Sequence, residues 1–354
     1  MNIGTLASER RNAFDLIRLL LAVAVVYSHA HLLGGFGEEG FSVLCKGQTI
    51  AGRLAVIGFF GISGFLVAQS FSARGDAWQF VKARLLRILP GFYFALVVTA
   101  YVLAPLIARF NRGGGHWQSD EAAHFVLGNA FVKIARWNIG DVLKGLPFTE
   151  SLNGALWSLF PEVCCYGLIL IVGVLGWLKA WSANVLLAFA AVAALHVSYI
   201  LAPSLPNLGP PLLTLTGWAP YVAAFLGGTS IFCYQERLGI GAKSAVGWIL
   251  ASALLLKLGG WALLGPIVLP LALINTALAF RARLPFDLSY GTYVLHFPVL
   301  HLLTALGFNH RGFAAYLTLA LAVSFAMAFV SWYAVEKPFL KLKSKASTPV
   351  ARPE

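Results

Sequence analysis

Charge is scarce in this chain. Only 11% of its 354 residues are Asp, Glu, Lys or Arg, against about 25% in an ordinary soluble domain. Mean hydropathy is +0.77, and a large water-solvated domain has no room here. Cysteine is sparse as well. Cys45, Cys164, Cys165 and Cys233 form no CxxC pair, and three of them sit inside apolar runs. Neither a disulfide framework nor a zinc site is indicated, so no metal is expected. The first apolar run has no convincing small-residue cleavage site and carries polar residues of its own. It reads as a retained span, not a removed signal peptide. No persuasive inverted repeat is visible, which weakens a transporter reading without removing it.

What the chain does have is apolar. Hydrophobic residues make up 59%, aromatics 13% with ten Trp, and there are 35 Gly, a composition that suits a polytopic membrane protein. A span takes about 20 mostly apolar residues. Ten candidates occur, at about 13–33, 50–71, 88–108, 155–178, 184–202, 215–234, 244–257, 261–280, 288–307 and 313–335. The hairpin 244–280 is the weakest, because its first arm is short. The expected architecture is all-α and polytopic, with about ten membrane helices. Residues 1–340 form the membrane domain and 341–354 a basic, polar cytoplasmic tail.

The net charge of +12 invites a nucleic-acid reading, which the distribution of charge argues against. Lys and Arg favour cytoplasmic loops. With the N-terminus inside, sixteen basic residues fall on cytoplasmic segments and nine on outer ones, and Arg18 lies within the first span. Ten spans with both termini cytoplasmic is therefore self-consistent, and no nucleic-acid partner is expected. The longest outer segment runs from about 109 to 154 and contains AAHFVLGNAFVKIARW, read as an interfacial or a half-inserted helix. The 203–214 stretch, PSLPNLGPPLLT, reads as a stiff connector.

The polar residues that interrupt the spans are the candidates for function. In FDLIRLLLAVAVVYSHAH, Arg18 and His29 are eleven residues apart and fall within about 20° of one line on a helix, about 16 Å apart along its axis. Asp15 lies within about 40° of the same line. Charges at membrane depth face a protein interior or a watery cavity. Arg18 also fits a snorkelling anchor, and His29 a satisfied interior histidine. Arg84 and Arg87 are three apart on the next inner segment and share a face. They serve either as positive-inside anchors or as a bidentate phosphate site. Gly58, Gly61 and Gly64 lack the strand and helix start of a phosphate loop and read as close helix packing. Glu162 sits within the fourth span with Ser158 and Tyr166 on its face. It is read as a functional acid over a structural hydrogen bond. Ser289, Tyr293 and His296 share a face of the ninth span, Pro298 is expected to kink it, and His301 lies on another face as packing. Glu336 and Lys337 read as interfacial.

Five segments in order resemble acyltransferase family 3, the bacterial membrane polysaccharide O-acyltransferases. They are FDLIRLLLAVAVVYSH with Arg18 and His29, GFFGISGFLV, RLLRILPGF with Arg84 and Arg87, LWSLFPEVCCY with Trp157, Ser158 and Glu162, and a closing region that holds both SYGTYVLHFPVL, with Ser289, Tyr293 and His296, and VEKPFL, with Glu336. Two features depart from the family. The acid that many members carry before the paired phenylalanines is replaced by Ile57 and Gly58, and no hydrolase-like domain follows the last span. A stand-alone member of this kind has room for a partner enzyme in the glycan pathway.

The resemblance implies a multi-pass protein of the bacterial inner membrane. It moves an acyl group from acyl-CoA, usually acetyl-CoA, to a sugar hydroxyl of a surface polysaccharide or glycan precursor, which is a carbohydrate acceptor of free or lipid-linked form. The donor is a substrate; no permanently bound cofactor is implied. On this reading His29 is the base, Glu162 orients it or binds sugar hydroxyls, and Asp15 fixes Arg18 beside the donor. Arg84 and Arg87 hold the donor's phosphates. Ser158, Tyr166, Ser289, Tyr293 and His296 line the acceptor cavity. Direct attack on the thioester and an acyl-enzyme route both fit. The competing class is a transporter or flippase for a lipid-linked sugar or small anion.

Overall fold

The computed structural model describes residues 12–179, 182–201, 210–282 and 284–342, and these contain helices and no strand. In chain order the main helices are α1 (Phe14–Gly34), α2 (Ala51–Arg74), α3 (Ala77–Val98, continued through Thr99–Leu103 to Ala104–Phe110), α4 (Ser119–Gly128), α5 (Leu159–Val174, preceded by a 3-10 turn Gly154–Ser158), α6 (Ser182–Leu201), α7 (Pro210–Tyr234), α8 (Ala242–Leu258), α9 (Trp261–Ala279), α10 (Ser289–Ala305) and α11 (Phe313–Ser331, continued through Trp332–Glu336 to Lys337–Lys341). Seven of the described helices are long and apolar enough to cross a membrane. Most of the 203–214 connector and nearly all of the 341–354 tail lie outside the described residues.

Local signals explain the helix ends. Asp15 lies in the first turn of α1, where a carboxylate suits the positive end of the helix dipole. Gly35 ends α1 in the left-handed region at φ 74°, its N–H returning to His31 and Leu32. Asp76 caps α3 by accepting from Gln79 N at 2.9 Å. This helix differs from expectation. It begins at Ala77, well before the apolar run at 88, so Arg84 and Arg87 stand inside it. Lys82, Arg84 and Arg87 lower the local hydropathy, but the side chains of Arg84 and Arg87 turn into the protein and the helix continues through all three. Its 34 residues make a rod of about 51 Å.

The glycines of α2 do pack closely. A Cβ at Gly64 would stand 1.9 Å from Phe225 O on α7, and one at Gly228 would stand 1.9 Å from Gly61 O. Backbone meets backbone across this crossing, as small residues allow. The expected hairpin is present as α8 and α9, turning at Gly259 and Gly260. Gln48 clamps it, donating to Leu255 O and Leu256 O while its Oε1 accepts from Trp261 N.

Contacts fix the relative directions of the helices around the centre. Arg18 meets Asp287, His29 meets His296, and Thr304 donates to Leu33 O, so α1 and α10 run side by side in the same direction. Arg87 of α3 meets Asp287, and farther along both helices Asn153 donates to Thr99 Oγ1 and to Val294 O, so α3 runs the same way. Helices α2 and α5 run against them, with Gly52 beside Ser28, Ser63 on Glu162 and Gly173 against Phe71.

The segment after α3 is the one expected to be interfacial or half-inserted. It folds back along α3 until Tyr93 Oη donates to Ala130 O at 2.9 Å, midway along that helix. Two asparagines satisfy its backbone, as burial requires. Asn111 donates to Val142 O and Lys144 O, and Asn129 bonds Ala135, Arg136 N and Arg136 O. At the tip, Val132 is held at φ 68°, a conformation β-branched residues rarely adopt. It is buried, whereas its neighbour Phe131 is 89% exposed.

Candidate active site

Polar side chains stack along the centre of the bundle in three layers. The lowest surrounds Asp287, in the loop before α10. Its Oδ2 accepts from Arg87 at 2.5 Å and from Arg18 at 3.2 Å. Its Oδ1 accepts from Ser289 Oγ at 2.6 Å. Burial opposes ionisation of this carboxyl, but the Arg87 and Arg18 guanidiniums outweigh it and hold Asp287 well below the usual carboxylate range.

Asp287 was not among the residues singled out from the sequence. It stands two residues before Ser289 and reads there as a loop acid. Its role depends on two arginines that lie 269 and 200 residues away in the chain. Arg18, which the resemblance pairs with Asp15, reaches Asp287 as well. Asp15 is exposed and lines the same mouth.

Glu336 is the second correction. Expected at the interface, it is 2% exposed. A π-turn, Trp332–Glu336, rotates it inward, as such turns do at functional sites. Ser331 Oγ donates to its Oε1 at 2.8 Å, and its Oε2 is buried with no hydrogen-bond partner among the described residues. Gly91 leaves the space, since a Cβ there would meet Tyr290 at 2.5 Å and Glu336 at 3.4 Å.

The two arginines of α3 are therefore not equivalent. Arg87 is committed to Asp287. Arg84 makes no ion pair among the described residues. It donates to Ser70 Oγ at 3.1 Å and lies over the Tyr166 ring at 5.7 Å, and its Nε is buried without a partner.

The middle layer holds Glu162. Its Oε1 accepts from Tyr166 at 2.6 Å and from Ser63 at 3.0 Å. Ser158 and Tyr293 share a hydroxyl–hydroxyl bond of 2.7 Å. Glu162 is hydrogen-bonded to Tyr166 and Ser63, and a different residue bonds His29.

That residue is His296, in the third layer. Its Nε2 lies 2.7 Å from His29 Nδ1, with the two rings stacked at 5°. His296 Nδ1 lies 2.8 Å from Tyr293 O and 3.1 Å from Thr292 O. Carbonyl oxygens only accept, so the hydrogen-bond network assigns the proton to Nδ1. In the neutral pair, His296 Nε2 then accepts from His29 Nδ1–H. His29 Nε2 keeps its lone pair, and no described residue hydrogen-bonds it. A neutral imidazole with a fixed tautomer and an open nitrogen is the form a general base takes. His296 is fully buried behind Tyr293 and is not a cavity wall as expected, while His29 is half-buried. His301 is buried, its Nε2 donating to Ser151 O at 3.0 Å.

Three spaces meet at the lower two layers, and neither His29 nor His296 is among the residues that line them. A mouth of about 420 Å³ is lined by Asp15, Arg18, Arg84, Arg87 and Asp287. A narrow inner cavity of about 100 Å³ is lined by Arg18, Arg84, Arg87, Glu162, Ser158 and Tyr293 among others. An apolar groove of about 370 Å³ opens between α3 and α5 and includes Arg84 and Tyr166. The sequence placed Ser158, Tyr166, Ser289 and Tyr293 at one cavity, and all four line the inner one. No group of His, Cys, Asp and Glu among the described residues is arranged to hold a metal.

Comparison with known proteins gives the family. The family described as acyltransferase domain, Acyl_transf_3, matches residues 11–335. An O-acetyl transferase of Shigella phage Sf6 is 27% identical over 347 residues, covering 95% of this chain and 98% of the relative. Nodulation protein 10 of Rhizobium leguminosarum bv. viciae is 28% identical over 367 residues, covering 96% and 95%. No solved structure matches the chain. With a family match over nearly its whole length, set on a bundle of apolar helices, the chain belongs to acyltransferase family 3 and is a multi-pass membrane acyltransferase.

Proposed function

We propose that the chain transfers an acyl group, acetyl in the first instance, from acyl-CoA to a sugar hydroxyl of a surface polysaccharide or glycan precursor. It does so from ten spans of the bacterial inner membrane with both termini cytoplasmic. The alternating directions of the central helices and the excess of Lys and Arg on one side support that topology. The phage relative's name supports acetyl as the group moved.

The observation that carries the reading is the open Nε2 of His29, set by His296. A sugar hydroxyl is a poor nucleophile until a base takes its proton. His29 Nε2 accepts that proton as the hydroxyl oxygen attacks the thioester carbonyl. A C–O bond forms, the C–S bond breaks, and the leaving thiolate takes the proton back from the imidazolium. The donor's phosphates are anionic and cytoplasmic, and the mouth presents Arg18, Arg84 and Arg87 to them. The inner cavity is narrow and suits a thread-like pantetheine arm.

Purified protein incubated with labelled acetyl-CoA and a glycan acceptor tests this. Labelled acceptor and stoichiometric free thiol are expected. A protein that leaves acetyl-CoA intact while moving a lipid-linked sugar or an anion across vesicles would be a transporter, and the reading would fall.

A further inference from the structure

Attack on a thioester carbonyl puts negative charge on the carbonyl oxygen. Donors already aimed at that oxygen stabilise the charge as it forms. Neither central histidine has an N–H to spare for it. His29 Nδ1–H is held by His296 Nε2, and His296 Nδ1–H by the carbonyls of Tyr293 and Thr292.

Among the described residues, the hydroxyls that line the inner cavity are those of Ser63, Ser158, Tyr166, Ser289, Tyr290 and Tyr293. Four of them already donate to protein acceptors. Tyr166 and Ser63 donate to Glu162 at 2.6 and 3.0 Å, Ser289 to Asp287 at 2.6 Å, and Tyr290 to Ile88 O at 2.8 Å. Ser158 and Tyr293 differ. Their oxygens lie 2.7 Å apart and share one hydrogen bond, yet the pair holds two hydrogens. The protein acceptor for the second is Ala155 O, 3.5 Å from Ser158 Oγ, at the far limit of a hydrogen bond. A carbonyl arriving in the cavity offers a better one. With Ser158 Oγ–H donating to Tyr293 Oη, the phenolic hydrogen is free to donate to the carbonyl oxygen. Hydroxyls linked in this way polarise one another.

The pair also stands where the thioester has to end. Tyr293 lines the cavity, and its ring centroid is 6.2 Å from that of His296. Phe59 packs edge-to-face against it at 5.6 Å, and both Tyr293 and Ser158 are buried. The backbone carbonyl of Tyr293 fixes the tautomer of His296 and, through it, that of His29. One residue therefore governs the base by its backbone and faces the donor cavity with its side chain.

We propose that Tyr293 is a catalytic residue, the oxyanion donor of the acyl transfer, and that Ser158 positions it. The proposal rests on the acyltransferase reading above. The acceptor oxygen bonds to the thioester carbon while His29 Nε2 takes its proton. The carbonyl π pair moves onto oxygen, and Tyr293 Oη–H donates to it. The C–S bond breaks as C=O re-forms, and the thiolate takes the proton from His29. Tyr293 keeps its own proton throughout.

Tyr293→Phe keeps the ring and removes the donor. It is expected to lower kcat for labelled-acetyl transfer by about 10²–10³-fold, the size of a lost oxyanion donor, with the KM for acetyl-CoA within about twofold of wild type. Ser158→Ala is expected to cost about tenfold, the worth of one hydrogen bond, and Ser158→Thr to recover most of that loss. The Ser158→Ala, Tyr293→Phe double variant should lose no more than Tyr293→Phe alone, because Ser158 acts through the phenol.

A second readout needs no turnover. The ketone analogue of acetyl-CoA, with CH2 in place of sulfur, binds without reacting. Its carbon-13-labelled carbonyl is expected to resonate farther downfield when bound to wild-type protein in nanodiscs than when bound to Tyr293→Phe. Tyr293→3-fluorotyrosine, a more acidic phenol of nearly the same shape, should move the signal farther downfield still. A Tyr293→Phe protein with unchanged kcat, or a bound carbonyl signal indifferent to position 293, would overturn the proposal while leaving acyl transfer intact. Wild-type protein that releases no thiol from acetyl-CoA would instead sink the enzymatic reading.

Discussion

His29 Nδ1 and His296 Nε2 lie 2.7 Å apart, and the backbone carbonyls of Thr292 and Tyr293 decide which of the two carries the shared proton. A hydrogen bond three to four residues back along α10 thus sets the chemistry of a nitrogen on α1. The arrangement needs no acid beside His29, which fits the engagement of Glu162 elsewhere.

Removing the base has a defined size. General base catalysis contributes about 10²–10⁴-fold. His29→Ala is expected to lower kcat for labelled-acetyl transfer by that much with little change in the KM for acetyl-CoA. Transfer undiminished by the mutation would exclude His29 from proton transfer.

His296 acts through His29, so the nature of its replacement matters. His296→Gln can still offer an oxygen to His29 Nδ1–H, whereas His296→Leu cannot. The glutamine variant is expected to retain at least tenfold more activity than the leucine variant at equal folded yield. Nitrogen-15 shifts of His29 report the tautomer directly. Equal loss in both variants with an unchanged His29 tautomer would reduce His296 to packing.

Arg84 and Arg87 should separate in their effects. Arg84→Ala raises the KM for acetyl-CoA and leaves the melting temperature in detergent nearly unchanged. Arg87→Ala leaves Asp287 short of a partner, and breaking such a buried pair costs about 3 kcal/mol. A double-mutant cycle of Arg87 with Asp287 should show coupling and one of Arg84 with Asp287 should not. Coupling of equal size in both cycles would contradict this division.

The crossing of α2 and α7 predicts an asymmetry among glycines. Gly64→Ala forces a methyl group into Phe225 O, and overpacking of a tight core costs roughly 1–3 kcal/mol or more. Gly167→Ala meets open space and should leave the melting temperature unchanged. Thermal unfolding in detergent, followed by light scattering or tryptophan fluorescence, compares the two. A Gly64→Ala protein as stable as wild type would mean that the helices separate readily there.

Glu336 extends the arginine layer. Its replacement by Gln keeps the bond from Ser331 and removes a negative charge from beside Arg87. Gln is expected to be tolerated in folding and to shift the KM for acetyl-CoA, as the balance of charge at the mouth changes. Glu336→Leu, which abolishes the Ser331 bond, should lower stability as well. Identical behaviour of the two variants in binding and stability would assign Glu336 to packing alone.

Much of this molecule is written in local pattern. Apolar runs of membrane length, the glycines of α2 and the alignment of Arg18 with His29 follow from helix periodicity, which a single segment carries by itself. The order of five short segments also sufficed to place the chain in its family. What only the tertiary structure decided is which of these faces meet. Asp287 binds arginines on two other helices, and Glu336 is turned inward by one extra residue in a turn of α11. His29 is oriented by His296 and not by Glu162, although each stood on a plausible face. Arg84 and Arg87 share one face of α3, yet a carboxylate reaches only Arg87. These pairings join residues 200 or more positions apart. They depend on how each helix is rotated and how deep it sits against its neighbours. That is set by packing and by the cost of burying an unpaired charge, neither of which is local to any stretch of the chain.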